Sequence, residues 1–173
     1  MYPQAYIRFL VQFHAYRDFF ECHEILEEYW KKEDKARRED KWVGLIQFAV
    51  ALYHHRRENW RGAEKLIISA CQRIREHRSE LRDLSIDTDE LLKRIDRRLA
   101  AIRKKERYTD VNLPLTDSSL ESKCQDECAK ENVTWLSDSD LSDPYIIHRH
   151  ILRDRTVCTK LLSQKNKLLF GPF

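Results

Sequence analysis

Glycine and proline are scarce in this chain, with three glycines and four prolines among 173 residues. Sheet-rich folds need many tight turns, and those turns depend strongly on these two residue types. Charged residues make up 35% of the chain and hydrophobic residues 42%, a balance that suits a helical protein. We therefore expect an all-α fold before any pattern is considered.

Cysteine is present but lacks the pattern of a disulfide framework. The five cysteines are odd in number and irregular in spacing, and the N-terminus lacks the basic and apolar segments of a secretory signal. No apolar run approaches the roughly 20 residues that a transmembrane helix needs. The sequence thus predicts a cytoplasmic protein that does not span a membrane.

A large excess of charge of one sign is also missing. The formal net charge is only +3, which is too small to indicate a nucleic-acid partner by itself. One predicted helix does concentrate basic residues on its outer side, which leaves weak phosphate or nucleic-acid binding as a minor alternative. These residues are Lys93, Arg94, Arg97, Arg98, Arg103, Lys104, Lys105 and Arg107. Neighbouring carboxylates dilute this charge, so nucleic acid is the less favoured partner.

Helical patterns fill the first part of the chain. Residues 42–53 are apolar nearly all round, which is typical of a helix at the centre of a bundle. Two Asp-x-x-Glu sequences, beginning at Asp18 and Asp87, have the spacing of a capping box and predict the starts of further helices. We predict a compact bundle of antiparallel helix pairs over residues 1–105.

The composition of the chain changes beyond this bundle. Residues 106–143 are rich in Asp, Ser and Thr and predict a polar loop or linker. Residues 144–173 carry regularly spaced apolar residues, which predicts an amphipathic C-terminal helix. We therefore expect a loop and a helix appended to one core domain rather than a second domain.

The strongest chemical signal is a predicted helix over residues 18–30 that carries a histidine among several carboxylates. At about 100° per residue, His23 falls on the buried face of this helix. Glu24 and Glu27 fall on a flank, with Phe20 between them. The position of Phe20 suggests that another part of the protein covers this carboxylate flank.

The central helix carries a second polar line, formed by Gln47 and His54. Small residues border this line, so another helix can approach it closely. We predict that the line meets His23 and Glu27 in a central polar pocket, because an unpaired buried carboxylate is strongly destabilising. The predicted walls of this pocket are Phe20, Tyr29, Trp30 and Tyr53. The adjacent His55 is predicted to point outward.

Three interpretations of this pocket are open. In the first, His23 and Glu27 ligate a divalent metal with His54 or His14 as a further ligand, and Glu24 is the general base of a hydrolase, as on a zinc-protease helix. In the second, the polar residues form a hydrogen-bonded network that fixes the packing. In the third, the pocket binds a small molecule or a protein partner without chemistry.

Three blocks of sequence resemble a known family. They are Phe20–Trp30 (FECHEILEEYW), Gly44–His54 (GLIQFAVALYH) and Asn59–Leu66 (NWRGAEKL). Together they resemble the prokaryotic family catalogued as domain of unknown function 309. The resemblance implies a small helical domain whose His, Glu and Gln side chains line a shared polar centre, and it implies no established activity. Glu58 departs from the family pattern, in which a glycine is expected.

These observations favour a cytoplasmic helical scaffold or binding module built around the polar pocket. A metal-dependent hydrolase with an HExxE helix is the alternative. The identity of a ligand, the presence of a divalent metal cofactor, enzymatic activity and the pairing of two copies are left open by the sequence.

Overall fold

The computed structural model of the chain describes residues 1–32 and 40–152. Within these residues the regular structure is helical, apart from one isolated bridge between Ile86 and Leu115. The helices are α1 (Gln4–Val11), α2 (Phe19–Lys32), α3 (Lys41–Arg56), α4 (Trp60–Glu76), α5 (Arg78–Asp83), α6 (Thr88–Arg103), α7 (Ser118–Lys130) and α8 (Pro144–Leu152). A π-helical turn, Gln12–Tyr16, directly follows α1. The predicted all-α fold is confirmed.

Helix α3 forms the centre of the fold. Every residue of α3 from Trp42 to Arg56 is buried, as the apolar run in the sequence predicts. Helix α4 packs along one side of α3 and α2 along another, and α6 packs in turn on α4. Among the described helices, none combines the length and the apolarity that crossing a bilayer requires.

Helices α2 and α3 run antiparallel, and aromatic contacts fix their register. The rings of Phe20 and Tyr53 lie 6.0 Å apart at one end of the contact. The rings of Tyr29 and Trp42 lie 5.4 Å apart at the other end. Position 20 thus faces position 53 and position 29 faces position 42, which confirms an antiparallel helix pair.

The turn between α3 and α4 is short and forces these helices to reverse direction. Glu58 adopts the left-handed conformation with a φ of 58°. Asn59 follows as the N-cap of α4, and its Oδ1 accepts the backbone N–H of Gly62 at 3.1 Å. The left-handed conformation explains why a glycine is expected at position 58, although the turn also forms with glutamate.

The outward orientation predicted for His55 is wrong. Its side chain is fully buried, because the rings of Trp60 and Tyr108 pack against the imidazole at centroid distances of 5.4 and 5.7 Å. Helical periodicity placed His54 and His55 in different directions, but α3 is covered on all sides. Both histidines are therefore buried.

The segment 106–143 contains a helix in place of part of the predicted loop. Helix α7 packs against α1 and buries Leu120, Cys124 and Cys128. These three residues recur at every fourth position and form one narrow apolar line along the helix. An amphipathic helix usually shows a wider apolar face. The prediction of a loop is thus wrong for α7, and the division of the chain at residue 105 stays a prediction.

Helix α8 lies against the beginning of α2 and the end of α3. Arg149 forms an ion pair with the buried Asp18. Arg56, at the end of α3, donates a hydrogen bond from Nη2 to the carbonyl oxygen of Ile146 at 2.8 Å. This helix occupies the start of the C-terminal helix predicted for residues 144–173, and the rest of that stretch lies outside the described residues.

Candidate functional site

His23, Glu24 and Glu27 form a cluster of potential metal ligands on α2. One ligand atom from each residue lies within 4.8 Å of the other two. His23 and Glu27 are buried, with 2% and 5% of their surface exposed, and Glu24 is half-buried. The helical wheel placed Glu24 and Glu27 together on the flank beside His23, because residues three and four positions apart are neighbours on a helix surface.

The start of α2 sets the orientation of this cluster. The Oδ1 atom of Asp18 accepts the backbone N–H of Glu21 at 2.9 Å, which is the first hydrogen bond of the predicted capping box. The Glu21 carboxylate is bound by Arg149 at 2.9 Å. With the first turn held in this way, His23 and Glu27 follow one turn apart on the flank of the core.

Glu27 divides its two carboxylate oxygens between two partners. Lys31 Nζ lies 2.9 Å from Oε1, and His23 Nε2 lies 3.6 Å from Oε2. A buried carboxylate needs such partners because desolvation strongly disfavours an isolated charge. The lysine therefore compensates Glu27 on one side and leaves Oε2 directed toward the histidine.

The two nitrogens of His23 face different carboxylates. Glu24 Oε1 lies 3.0 Å from Nδ1, a position that favours a proton on this nitrogen. The Nε2 lone pair is then directed toward Glu27. The separation of 3.6 Å on that side is longer than a hydrogen bond. It is close to the distance of about 3.4 Å between two neighbouring ligands of a tetrahedral zinc ion with bonds of about 2.1 Å.

His54 belongs to a different local structure. Because Asn59 Oδ1 accepts the N–H of Gly62, the Nδ2 group of Asn59 faces His54 Nδ1 at 3.0 Å. The imidazole accepts this hydrogen bond and carries its proton on Nε2. A Cβ atom at Gly62 would lie 2.8 Å from Asn59 Nδ2, so the glycine leaves room for the cap. Within the described residues, the cluster of potential metal ligands formed by His23, Glu24 and Glu27 does not include His54.

Gln47 is buried, but it is not joined to the His23 cluster by hydrogen bonds. Its Oε1 atom has no hydrogen-bond partner among the described residues. At about 100° per residue, Gln47 lies roughly 140° around α3 from Trp42, which faces α2. The pocket of four polar residues therefore stays a prediction, whereas the cluster of His23, Glu24 and Glu27 is present.

The aromatic residues predicted as walls lie in different places along α2 and α3. Phe20 packs beside His23 and Tyr53, with ring centroids 6.1 and 6.0 Å away. Tyr29 lies at the opposite end of the helix pair, and Trp30 is buried. Phe20 is thus placed beside the cluster, and Tyr53 packs against Phe20 from α3.

His14, considered as a further metal ligand, has both ring nitrogens engaged by the backbone. Its Nδ1–H donates to the carbonyl oxygen of Leu10 at 3.0 Å, and its Nε2 accepts the N–H of Leu113 at 2.9 Å. Burial is the main cause that lowers the pKa of His14 to about 3. This neutral histidine ties the end of α1 to the segment that precedes α7.

Three buried arginines were not foreseen from the sequence. Arg17 and Arg56 are linked by a hydrogen bond from Arg56 Nη1 to the carbonyl oxygen of Arg17 at 2.8 Å. Arg98 was assigned to the exposed basic face, but it is 8% exposed and lies 5.2 Å from the centre of the Tyr108 ring. No local pattern distinguishes these arginines from exposed ones, because their partners come from distant segments.

The other basic residues of α6 are interleaved with carboxylates. Glu90 contacts Arg94 at 2.9 Å and Arg97 at 3.1 Å. Arg103 contacts Glu64 of α4 at 2.8 Å. The basic surface predicted for this helix is therefore divided into local ion pairs.

Comparisons with known proteins identify the family of this chain. The family model described as "Domain of unknown function (DUF309)" matches residues 6–66, a range that includes the His23 cluster. The chain is also similar to the uncharacterized protein YpuF of Bacillus subtilis (strain 168), with 46% identity over 156 residues that cover 90% of each chain. No solved structure matches it significantly. The chain therefore belongs to the DUF309 family, as the sequence blocks predicted.

Proposed function

We propose that this protein is a helical binding module that holds one divalent cation between His23 and Glu27, with Glu24 orienting His23. The observation that supports this proposal is the placement of three potential ligand atoms within 4.8 Å of one another on a single helix. Imidazole and carboxylate groups are the usual nitrogen and oxygen ligands of zinc in proteins. The burial of two of the three residues favours a defined site over a loose cluster of surface acids.

The three side chains have different roles in this proposal. His23 Nε2 and Glu27 Oε2 are the ligands. Lys31 binds the other oxygen of Glu27 and so remains in place when the ion is bound. Glu24 acts through His23, since a carboxylate beside the second nitrogen of a ligating histidine fixes the tautomer that can bind a metal.

The position of Glu24 favours cation binding over hydrolysis. On a zinc-protease helix, the glutamate after the first histidine takes a proton from the metal-bound water. Here Glu24 Oε1 lies beside Nδ1 of His23, on the side of the ring away from the proposed ligand atom Nε2. The metal-dependent hydrolase is therefore the less supported alternative.

Zinc binding to the tag-free protein tests the proposal. We expect isothermal titration calorimetry and metal analysis to show one zinc ion per chain. Glu27→Gln should abolish saturable binding because it removes a charged ligand while preserving the shape of the side chain. Glu24→Gln should weaken binding by about 10- to 100-fold, the usual effect of losing the residue that orients a ligand.

Glu28→Gln is the matched control, because Glu28 lies on the same helix and is largely exposed. This change removes the same charge and should leave zinc affinity unaltered. Circular dichroism and urea unfolding establish that each variant is folded. The proposal fails if the wild-type protein binds no zinc stoichiometrically, or if Glu28→Gln and Glu27→Gln weaken binding equally.

We also propose that the protein works in the cytoplasm. Four cysteines in the described residues, Cys22, Cys71, Cys124 and Cys128, are free and buried. Proteins of oxidising compartments generally form disulfides, so free thiols support a reducing environment. Fractionation of cells with an antibody to the native protein tests this location, and recovery outside the cytoplasmic fraction would contradict it.

A further inference from the structure

Lys31 places a positive charge beside the proposed cation site, near the end of α2. Its Nζ atom lies 2.9 Å from Oε1 of Glu27, and 39% of the lysine side chain is exposed. The other oxygen of the same carboxylate, Oε2, faces His23 Nε2 at 3.6 Å. Among the residues that the structure describes, no other lysine or arginine forms an ion pair with Glu27. One buried carboxylate therefore connects the lysine to the proposed position of the ion.

The charges around His23 show what the lysine changes. With the imidazole neutral, Glu24 and Glu27 contribute two negative charges and Lys31 contributes one positive charge, which leaves one net negative charge. The lysine thus cancels the charge of Glu27, the carboxylate that is the proposed ligand. A divalent cation brings two positive charges, and it has to share Glu27 with an ammonium group that is already bound there.

The repulsion across the shared carboxylate is large enough to measure. A zinc ion bonded to Oε2 at about 2.1 Å would lie within roughly 7 Å of the ammonium nitrogen on Oε1. Even with the dielectric constant of water, the repulsion between charges of +2 and +1 at this distance weakens binding by about 10-fold. Glu27 is only 5% exposed, and salt screens charges less effectively around a buried group.

The position of Lys31 on the helix also has an ordinary structural use. Lys31 and Lys32 occupy the last turn of α2, where positive charges interact favourably with the helix dipole. Lys32 pairs with Glu28 at 2.7 Å, and these two side chains are 73% and 69% exposed. A purely structural role would be shared by the two lysines, whereas only Lys31 contacts a proposed metal ligand.

We infer that Lys31 sets the affinity of the cation site and keeps the ion exchangeable. The ammonium group compensates Glu27 while the site is empty, so the folded protein does not need the ion. The same group repels the ion when it binds, so that binding is weaker than the ligands alone would allow. This inference rests on the proposed cation site, and it makes that site one that takes up and releases its ion.

Calorimetric titration of the full, tag-free chain with zinc at constant pH and salt tests this inference. Lys31→Gln removes the charge and should bind zinc about 10-fold more tightly than the wild-type protein. Lys31→Met, a second neutral variant, should tighten binding to a similar extent. Lys31→Arg keeps the charge and should bind zinc like the wild-type protein.

Thermal unfolding gives an independent measurement. Without zinc, the two neutral variants at position 31 should have lower unfolding midpoints than the wild-type protein, because Glu27 loses its compensating charge. At the same added zinc concentration, their midpoints should rise further than that of the wild-type protein, because tighter binding to the native state stabilises it more. A role of Lys31 in the helix alone predicts the first change but not the second.

Lys32→Gln is the matched control, since it removes the same charge from the neighbouring, exposed position. It should change zinc affinity by less than about 2-fold, because salt screens exposed charges at longer range. If the wild-type protein binds zinc and the neutral variants at position 31 bind it no more tightly, this inference is overturned and the cation site still stands. Equal tightening by Lys32→Gln, or tightening in only one of the two neutral variants when both are folded, also overturns it. If neither the wild-type protein nor any variant binds zinc, the proposed function fails together with this inference.

Discussion

At the scale of single residues, the turn at Glu58 shows how one side chain limits stability. A residue with a Cβ atom is strained by about 1–2 kcal/mol in the left-handed conformation, which Glu58 adopts. The larger entropy of glycine in the unfolded chain opposes its use by about 0.4–1 kcal/mol. We expect Glu58→Gly to raise the free energy of unfolding by about 0.5–1 kcal/mol, measured by urea denaturation.

Glu58→Ala is the control for this substitution. It removes the same charge but keeps a Cβ atom in the strained conformation. The free energy of unfolding should therefore remain close to that of the wild-type protein. Equal stabilisation by alanine and glycine would assign the effect to the charge and contradict the role of backbone strain.

His14 makes the stability of the protein depend on pH. Its pKa is lowered to about 3 in the folded protein, whereas the pKa of an exposed histidine is about 6.5. Below about pH 6.5 the unfolded chain takes up a proton that the native protein does not accept. The free energy of unfolding therefore decreases as the pH is lowered. For this residue we expect a loss of about 2 kcal/mol between pH 7.5 and pH 5. Burial also lowers the pKa of His55, which adds a loss in the same direction.

Urea unfolding at several pH values measures this effect. His14→Gln should show a smaller decrease of stability between pH 7.5 and pH 5 than the wild-type protein, because it lacks the titrating group. His77→Gln serves as the control, since His77 is partly exposed on the surface. If His14→Gln retains the full pH dependence, another group is responsible.

At the scale of helices, a substitution in α7 tests whether the segment after residue 105 belongs to the core. Leu120 is completely buried where α7 packs on α1. We expect Leu120→Ala to lower the free energy of unfolding by about 3 kcal/mol, through lost burial and the cavity that it leaves. Urea denaturation measures this change.

Gln125→Ala provides the comparison on the same helix, because Gln125 is exposed. A surface substitution of this kind changes stability by less than about 0.5 kcal/mol. A detached linker would tolerate both substitutions equally. Similar stability of the two variants would thus contradict the docking of α7.

The helices differ in how well their sequences predict them. The predicted inner residues of α4 are all buried, from Ala63 to Ile74, because a wide apolar stripe leaves one orientation for the helix. Asp87 also caps α6 as expected, accepting the N–H groups of Asp89 and Glu90. In α7 the apolar line is narrow, and only the contact with α1 shows that the helix is part of the core.

At the scale of the whole molecule, α3 organises the fold and determines which polar groups are buried. Its surroundings enclose His54 and His55, and each is satisfied by a partner from another segment. His54 Nδ1 accepts a hydrogen bond from Asn59 Nδ2. His55 Nε2–H donates to the carbonyl oxygen of Glu106 at 2.9 Å. The buried polar residues of α3 thus connect the central helix to the chain that follows it.

The sequence by itself determined the helical class, the central position of α3 and the position of His23 beside the flank of α2 that carries Glu24 and Glu27. These features depend on composition and on the periodicity of one helix, which are local properties. The tertiary structure decided the burial of His55 and Arg98 and the docking of α7. Each of these depends on surfaces brought together from distant parts of the chain, and no local pattern specifies which surfaces will meet.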